Sequence, residues 1–166
     1  NFTGPTTRAA MQRIFDDKRQ SLQGDAEAGE PAQDFVLINN GNASATNGAA
    51  MKAWAATMLS LSNPEKLIAN TYEIAKFTHN NVISVSGACA ISTAVNAALE
   101  EGRTLRQIIQ IGIQGADQGY KYADENGAMM MAGPSVARRI ELAMQIGEQH
   151  LSWDTAVVEL ADIIGT

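Results

Sequence analysis

The sequence predicts an all-α fold: a compact, orthogonal domain of about seven helices around a buried, Ala/Ser-rich central helix. Three observations point there. Residues 82–99 carry no charged side chain over 18 positions, yet include three serines, a threonine, an asparagine and a glycine. That is too polar for a membrane span, and small residues on all sides let neighbours approach from every direction. The chain holds 27 alanines and 14 glycines while only 5% of residues are aromatic, a balance that suits closely packed helices rather than sheets. Elsewhere, apolar residues recur at three- and four-residue steps, the period of a half-buried helix.

In chain order, Gly4-Pro5-Thr6-Thr7 opens the first helix, with proline where a helix loses no hydrogen bond. Met11, Ile14, Phe15, Lys18 and Leu22 then mark about four half-buried turns. Residues 23–31 contain two glycines, a proline and three acids and read as a solvated loop. Phe35-Val36-Leu37-Ile38 is a short apolar run that periodicity does not assign. Residues 39–48 are without charge or bulk and feed a helix from about Ala49, apolar at Met51, Trp54, Ala55, Met58 and Leu59. Asn63-Pro64-Glu65 supplies a cap, a first-turn proline and a first-turn acid for a helix running to about Phe77. It stops at Thr78-His79-Asn80-Asn81, before the central helix. Thr104 caps the next, which is apolar at Leu105, Ile108, Ile109 and Ile113, with Gly112, Gly115 and Gly119 allowing close contact or a kink. Residues 126–134 form a loop, and segments 135–150 and 152–164 complete the helices.

Composition narrows function. The 166 residues suit one domain, 1–166, long enough to bury roughly 70% of the surface the unfolded chain exposes. A formal charge of −6 without a basic run argues against electrostatic binding to nucleic acid or anionic membrane. One cysteine, Cys89, excludes a disulfide framework. No signal peptide is visible. The expectation is a soluble, reduced, cytoplasmic protein. Because the chain begins at Asn1 without Met and ends at Gly165-Thr166 directly after a helical pattern, it is expected to be a piece of something longer.

Few residues offer chemistry. Two histidines 71 positions apart do not supply the ligand spacing of a hydrolytic zinc site. Asp117, Asp124 and Glu125 share a helix face but read as solvated, as do Asp16-Asp17 beside Lys18-Arg19. Cys89, inside the charge-free helix, reads as an inert core thiol. Met129-Met130-Met131 fills gaps or covers a loop rather than binding metal. The segment ending in Thr46-Asn47-Gly48 is more specific. It leads small residues into a helix N-terminus, where backbone N–H groups and side-chain donors suit a phosphate, or where the loop is a plain cap. His79, at a helix end, reads as a packing residue or as a ligand contact.

At these residues a resemblance emerges. Ser44-Ala45-Thr46-Asn47-Gly48-Ala49-Ala50-Met51, followed by Phe77-Thr78-His79 and the Ala/Ser-rich helix, resembles the ADP-ribosylglycohydrolase family. Gly4-Pro5-Thr6-Thr7-Arg8-Ala9-Ala10 and Ala132-Gly133-Pro134-Ser135-Val136-Ala137-Arg138-Arg139-Ile140-Glu141 are similar to further family segments. The resemblance implies an all-helical hydrolase that cleaves the glycosidic bond of ADP-ribosyl groups with two Mg²⁺ or Mn²⁺ ions activating water. It implies Gly4 and Thr6 beside the distal ribose and phosphates, and Ser44, Thr46, Asn47 and Gly48 around the diphosphate. His79 would lie towards the adenosine.

The family's acidic metal-ligand clusters, near its two termini, do not occur in this sequence, and Lys52 stands where an arginine is usual. The chain therefore looks like the family's middle section, with part of the ADP-ribose pocket but no catalytic or metal-ligand residue. By itself it is expected not to hydrolyse. Its expected partner is ADP-ribose or an ADP-ribosylated substrate, not nucleic acid or membrane, with self-association as a further possibility where flanking helices are missing. The alternative is a non-catalytic nucleotide binder or a structural, crystallin-like relative.

Overall fold

The charge-free run forms a single helix, Val82–Ala98, in a computed structural model that describes residues 45–149 and 152–164 together with Arg8, Met11, Gln12, Phe15 and Asp16. The described helices are α1 (Gly48–Lys52), α2 (Trp54–Ser60), α3 (Leu67–Lys76), α4 (Val82–Ala98), α5 (Leu105–Glu125), α6 (Val136–Gln149) and α7 (Trp153–Ile164), with a 3-10 turn at Pro64–Lys66. Among the described residues the extended pairing is one isolated parallel bridge, Asn81 with Met129. The fold is all-α. Of the first predicted helix, the five described positions are helical, with Met11 and Phe15 exposed rather than half-buried. The apolar run at 35–38 lies outside the described residues.

Helix α4 is the centre, packed against α1, α2, α3, α5 and α6. It starts at Asn81, whose extended backbone lets its side chain accept from the Ser84 N–H at 2.8 Å. Val82, Val85, Ala88 and Cys89 are fully buried. The polar residues that argued against a membrane span are used inside. Ser86 donates to the Ala116 carbonyl at 2.8 Å, Thr93 to the Cys89 carbonyl at 2.8 Å, and Thr71 to Ser92 Oγ at 2.8 Å. Thr57 donates to the Ser92 carbonyl at 2.9 Å. Buried hydroxyls with partners cost little, and they fix which helix faces which.

The α4–α5 contact depends on glycine. A Cβ on Gly115 would stand 2.0 Å from Thr93 Oγ1, and one on Gly119 would stand 2.4 Å from the Cys89 Cβ. The two helices therefore approach to a distance that no other residue permits at those positions. Thr104 caps α5 as expected, in a capping box with Gln107. At the other end Gly127 takes φ +75°, so Ala128 can donate to the Ala123 carbonyl at 2.9 Å and Gly127 to that of Asp124 at 3.2 Å. This turn aims the following loop back towards the start of α4.

Three expectations need correction. The helix predicted from Ala49 is interrupted at Ala53, whose N–H bonds the Ala50 carbonyl three residues back. Its core-facing stripe is Ala49, Ala53, Ala56, Thr57 and Ser60, while Met51, Trp54, Met58 and Leu59 are exposed. Two stripes run along one helical stretch, and the smaller one faces α4 because close backbone approach leaves no room for the larger. Asn63 marks a restart, but its side chain makes no cap bond; a 3-10 turn intervenes and the α-helix begins at Leu67.

Candidate functional site

A chain of four polar side chains forms where the exit of α3 meets the entry of α1. Helix α3 closes at Phe77, and the N–H groups of Thr78 and His79 both turn back to the Ala75 carbonyl, at 3.1 and 2.9 Å. That tight exit carries His79 into the interior, where it is 1% exposed. The loop after α5 braces the next residues: the Met129 N–H donates to the Asn80 carbonyl at 2.9 Å, and the Met129 carbonyl accepts from the Val82 N–H at 3.1 Å. Tyr72 anchors the start of that loop through a 3.0 Å bond to the Asn126 carbonyl.

The entry of α1 lies against the imidazole. A Cβ on Gly48 would stand 2.9 Å from His79 Cε1 and 3.1 Å from Nε2, so the missing side chain is what brings ring and helix start together. Thr46 Oγ1 lies 2.7 Å from Nε2, and Thr78 Oγ1 lies 2.7 Å from Nδ1. Lys52, four residues after Gly48, donates through Nζ to Thr78 Oγ1. The order is ammonium, hydroxyl, imidazole, hydroxyl. Lys52 is half-buried, Thr78 and His79 are buried, and Thr46 opens to solvent.

Burial lowers the pKa of His79 below its ordinary value of 6.5, and the nearby Lys52 charge pushes the same way. Burial lowers that of Lys52 as well. The ring is therefore neutral at pH 7, donating from one nitrogen and accepting at the other. Beside Thr46, Asn47 is exposed; its carbonyl accepts from the Met51 N–H at 3.0 Å, while its side chain makes no cap bond. The site thus presents to the surface the Thr46 hydroxyl, held from behind by a buried ring, and beside it the Asn47 carboxamide.

Of the residues singled out from sequence, Thr46, Asn47, Gly48 and His79 come together here. Gly4, Thr6 and Ser44 lie outside the described residues. His79 meets Thr46 and Thr78 rather than the surface. Helix α1 is five residues long, so its dipole contributes little to holding an anion. The sequence assigns no binding role to Thr78 or Lys52. Their contact spans 26 residues of chain and exists because the α3 exit folds onto α1.

The other candidates are inert or solvated. The Cys89 thiol is fully buried and its pKa is pushed up to about 12 by that burial. Asp117, Asp124 and Glu125 are exposed. Among the described residues no three His, Cys, Asp or Glu side chains converge to hold a metal ion, so these residues do not fit a two-metal centre. No described helix is long and apolar enough to cross a membrane. Comparison with known proteins gives a family model, described as ADP-ribosylglycohydrolase, that matches residues 2–163. No curated protein and no solved structure matches the chain.

Proposed function

The chain belongs to the ADP-ribosylglycohydrolase family, and on that premise we propose that Thr46, Asn47 and Gly48, backed by His79, receive the diphosphate of an ADP-ribosyl group. The observation that carries this reading is the exposed Thr46 hydroxyl held 2.7 Å from a buried, neutral imidazole. A diphosphate offers acceptor oxygens and negative charge. Hydroxyl and carboxamide donors answer the first, and the Lys52 ammonium inside the chain of bonds answers the second. Gly48 leaves the wall beside them without a side chain.

The family acts on ADP-ribosyl groups as a hydrolase and is generally divalent-metal dependent. In such a hydrolysis a water oxygen joins the ribose carbon while the bond to the acceptor nitrogen or oxygen breaks and a proton passes to the leaving group. The described residues form no cage for Mg²⁺ or Mn²⁺, so the share of the reaction we assign to them is binding and orientation. We extend the same binding role to Gly4, Thr6 and Ser44 on the family resemblance alone, since they lie outside the described residues.

Calorimetric titration of the chain with ADP-ribose tests this. The wild-type chain binds, and Thr46→Val or Asn47→Ala weakens binding by about tenfold, the worth of one hydrogen bond to a charged group. Absence of binding, or wild-type affinity in both variants, overturns the reading. The 166-residue chain is expected to bind without releasing ADP-ribose from a modified substrate; metal-dependent release by the pure chain would place catalytic groups within it.

A further inference from the structure

We propose that Lys52 is a positioning residue: acting through Thr78, it fixes His79 as the Nε2–H tautomer and thereby turns the Thr46 hydroxyl hydrogen outward, as a donor to an acceptor-only ligand such as a diphosphate. The last step rests on the reading of Thr46 given above; the control of the ring does not.

An ammonium has donors and no acceptor, so Thr78 Oγ1 must accept from Lys52 Nζ. The hydroxyl's own hydrogen then points to its other neighbour, His79 Nδ1, at 2.7 Å. A nitrogen that accepts carries no proton, so in the neutral ring the proton sits on Nε2 and is donated to Thr46 Oγ1 at 2.7 Å. Thr46, already an acceptor, keeps its own hydrogen for a partner on the exposed side. Burial and the Lys52 charge both disfavour the doubly protonated ring, which would break this order.

The reverse order is compatible with the same atomic positions. Nδ1–H would donate to Thr78, Thr46 would donate to Nε2, and the outward donor would vanish. With Lys52 in place, that order leaves the buried Thr78 hydroxyl hydrogen without an acceptor, which is costly. Without the ammonium, its half-buried place beside Thr78 can take a water that accepts the Thr78 hydroxyl hydrogen while Oγ1 accepts from Nδ1–H, and the two orders become comparable. Lys52 therefore selects between two hydrogen-bond directions without touching the ring.

The test is long-range ¹⁵N–¹H NMR of the full chain labelled at histidine, near pH 7.5, with His150→Gln to assign the second histidine. The expected wild-type spectrum for His79 is that of the Nε2–H tautomer; an Nδ1–H spectrum overturns the proposal whatever the variants do. Lys52→Met, which keeps the apolar stem, is expected to shift His79 towards Nδ1–H and to weaken ADP-ribose binding about tenfold. Lys52→Arg, again a donor without an acceptor, restores both. An unchanged tautomer in a folded Lys52→Met chain overturns the proposal, even if affinity falls. A shifted tautomer with unchanged affinity upholds the control of the ring and overturns instead the placing of the ligand on Thr46.

Discussion

Gly48 and His79 are matched in shape, and neither tolerates change independently. The ring is held at both nitrogens by 2.7 Å bonds and has little freedom to swing away from a new methyl group 2.9 Å from Cε1. Gly48→Ala is expected to lower stability by about 1–3 kcal/mol in urea denaturation, the usual cost of overpacking; an unchanged midpoint would show the ring free to move. Protonation probes the same residue. The unfolded chain takes up a proton on His79 near pH 6.5, while the folded chain resists until lower pH. Stability from this group is therefore complete above pH 6.5 and declines as pH falls below that value towards the lowered one. Between pH 7.5 and 5.5 the wild-type melting temperature should fall further than that of His79→Gln, and parallel curves would refute the assignment. At this scale the sequence was half legible. Thr46, Asn47, Gly48 and His79 stood out as small or titratable residues at helix ends. Thr78 did not, and Lys52 did only as a departure from the family's usual arginine, because their role is a contact between two elements.

Elements sort into those whose partners could be inferred and those whose partners could not. Helix α4 was legible because 18 uncharged positions with scattered hydroxyls have one stable place in a small protein, the middle. The outer face of α1 and α2 was not. Large apolar residues at Met51, Trp54 and Met58 outbid alanines in any count of hydrophobicity, yet the alanine stripe is buried. What decides is the distance of approach to α4, and that is a property of the pair. The same pair gives a prediction of opposite signs. Gly115→Ala and Gly119→Ala would each force an atom within 2.4 Å of α4 and should cost about 1–3 kcal/mol or more. Gly87→Ala, inside α4 with open space around its would-be Cβ, should gain about 0.5–1 kcal/mol from helix propensity. Thermal or urea denaturation of the three variants reads both signs; a stabilising Gly115→Ala would mean the helices are farther apart than described.

For the molecule as a whole, the helices form concentric layers of protection. Helix α4 lies behind α1, α2, α3, α5 and α6, whereas α7 packs on α6. Amide protons in α4 can meet solvent deuterium when the domain opens globally, and those of α7 when that one helix lifts off α6. In hydrogen–deuterium exchange read by mass spectrometry, peptides from α7 are expected to label first. Peptides spanning 82–98 should label last, at a rate set by global unfolding and slowed equally by anything that stabilises the native state. A bound nucleotide held at Thr46 would thus leave its mark in the exchange clock of a helix that it does not reach.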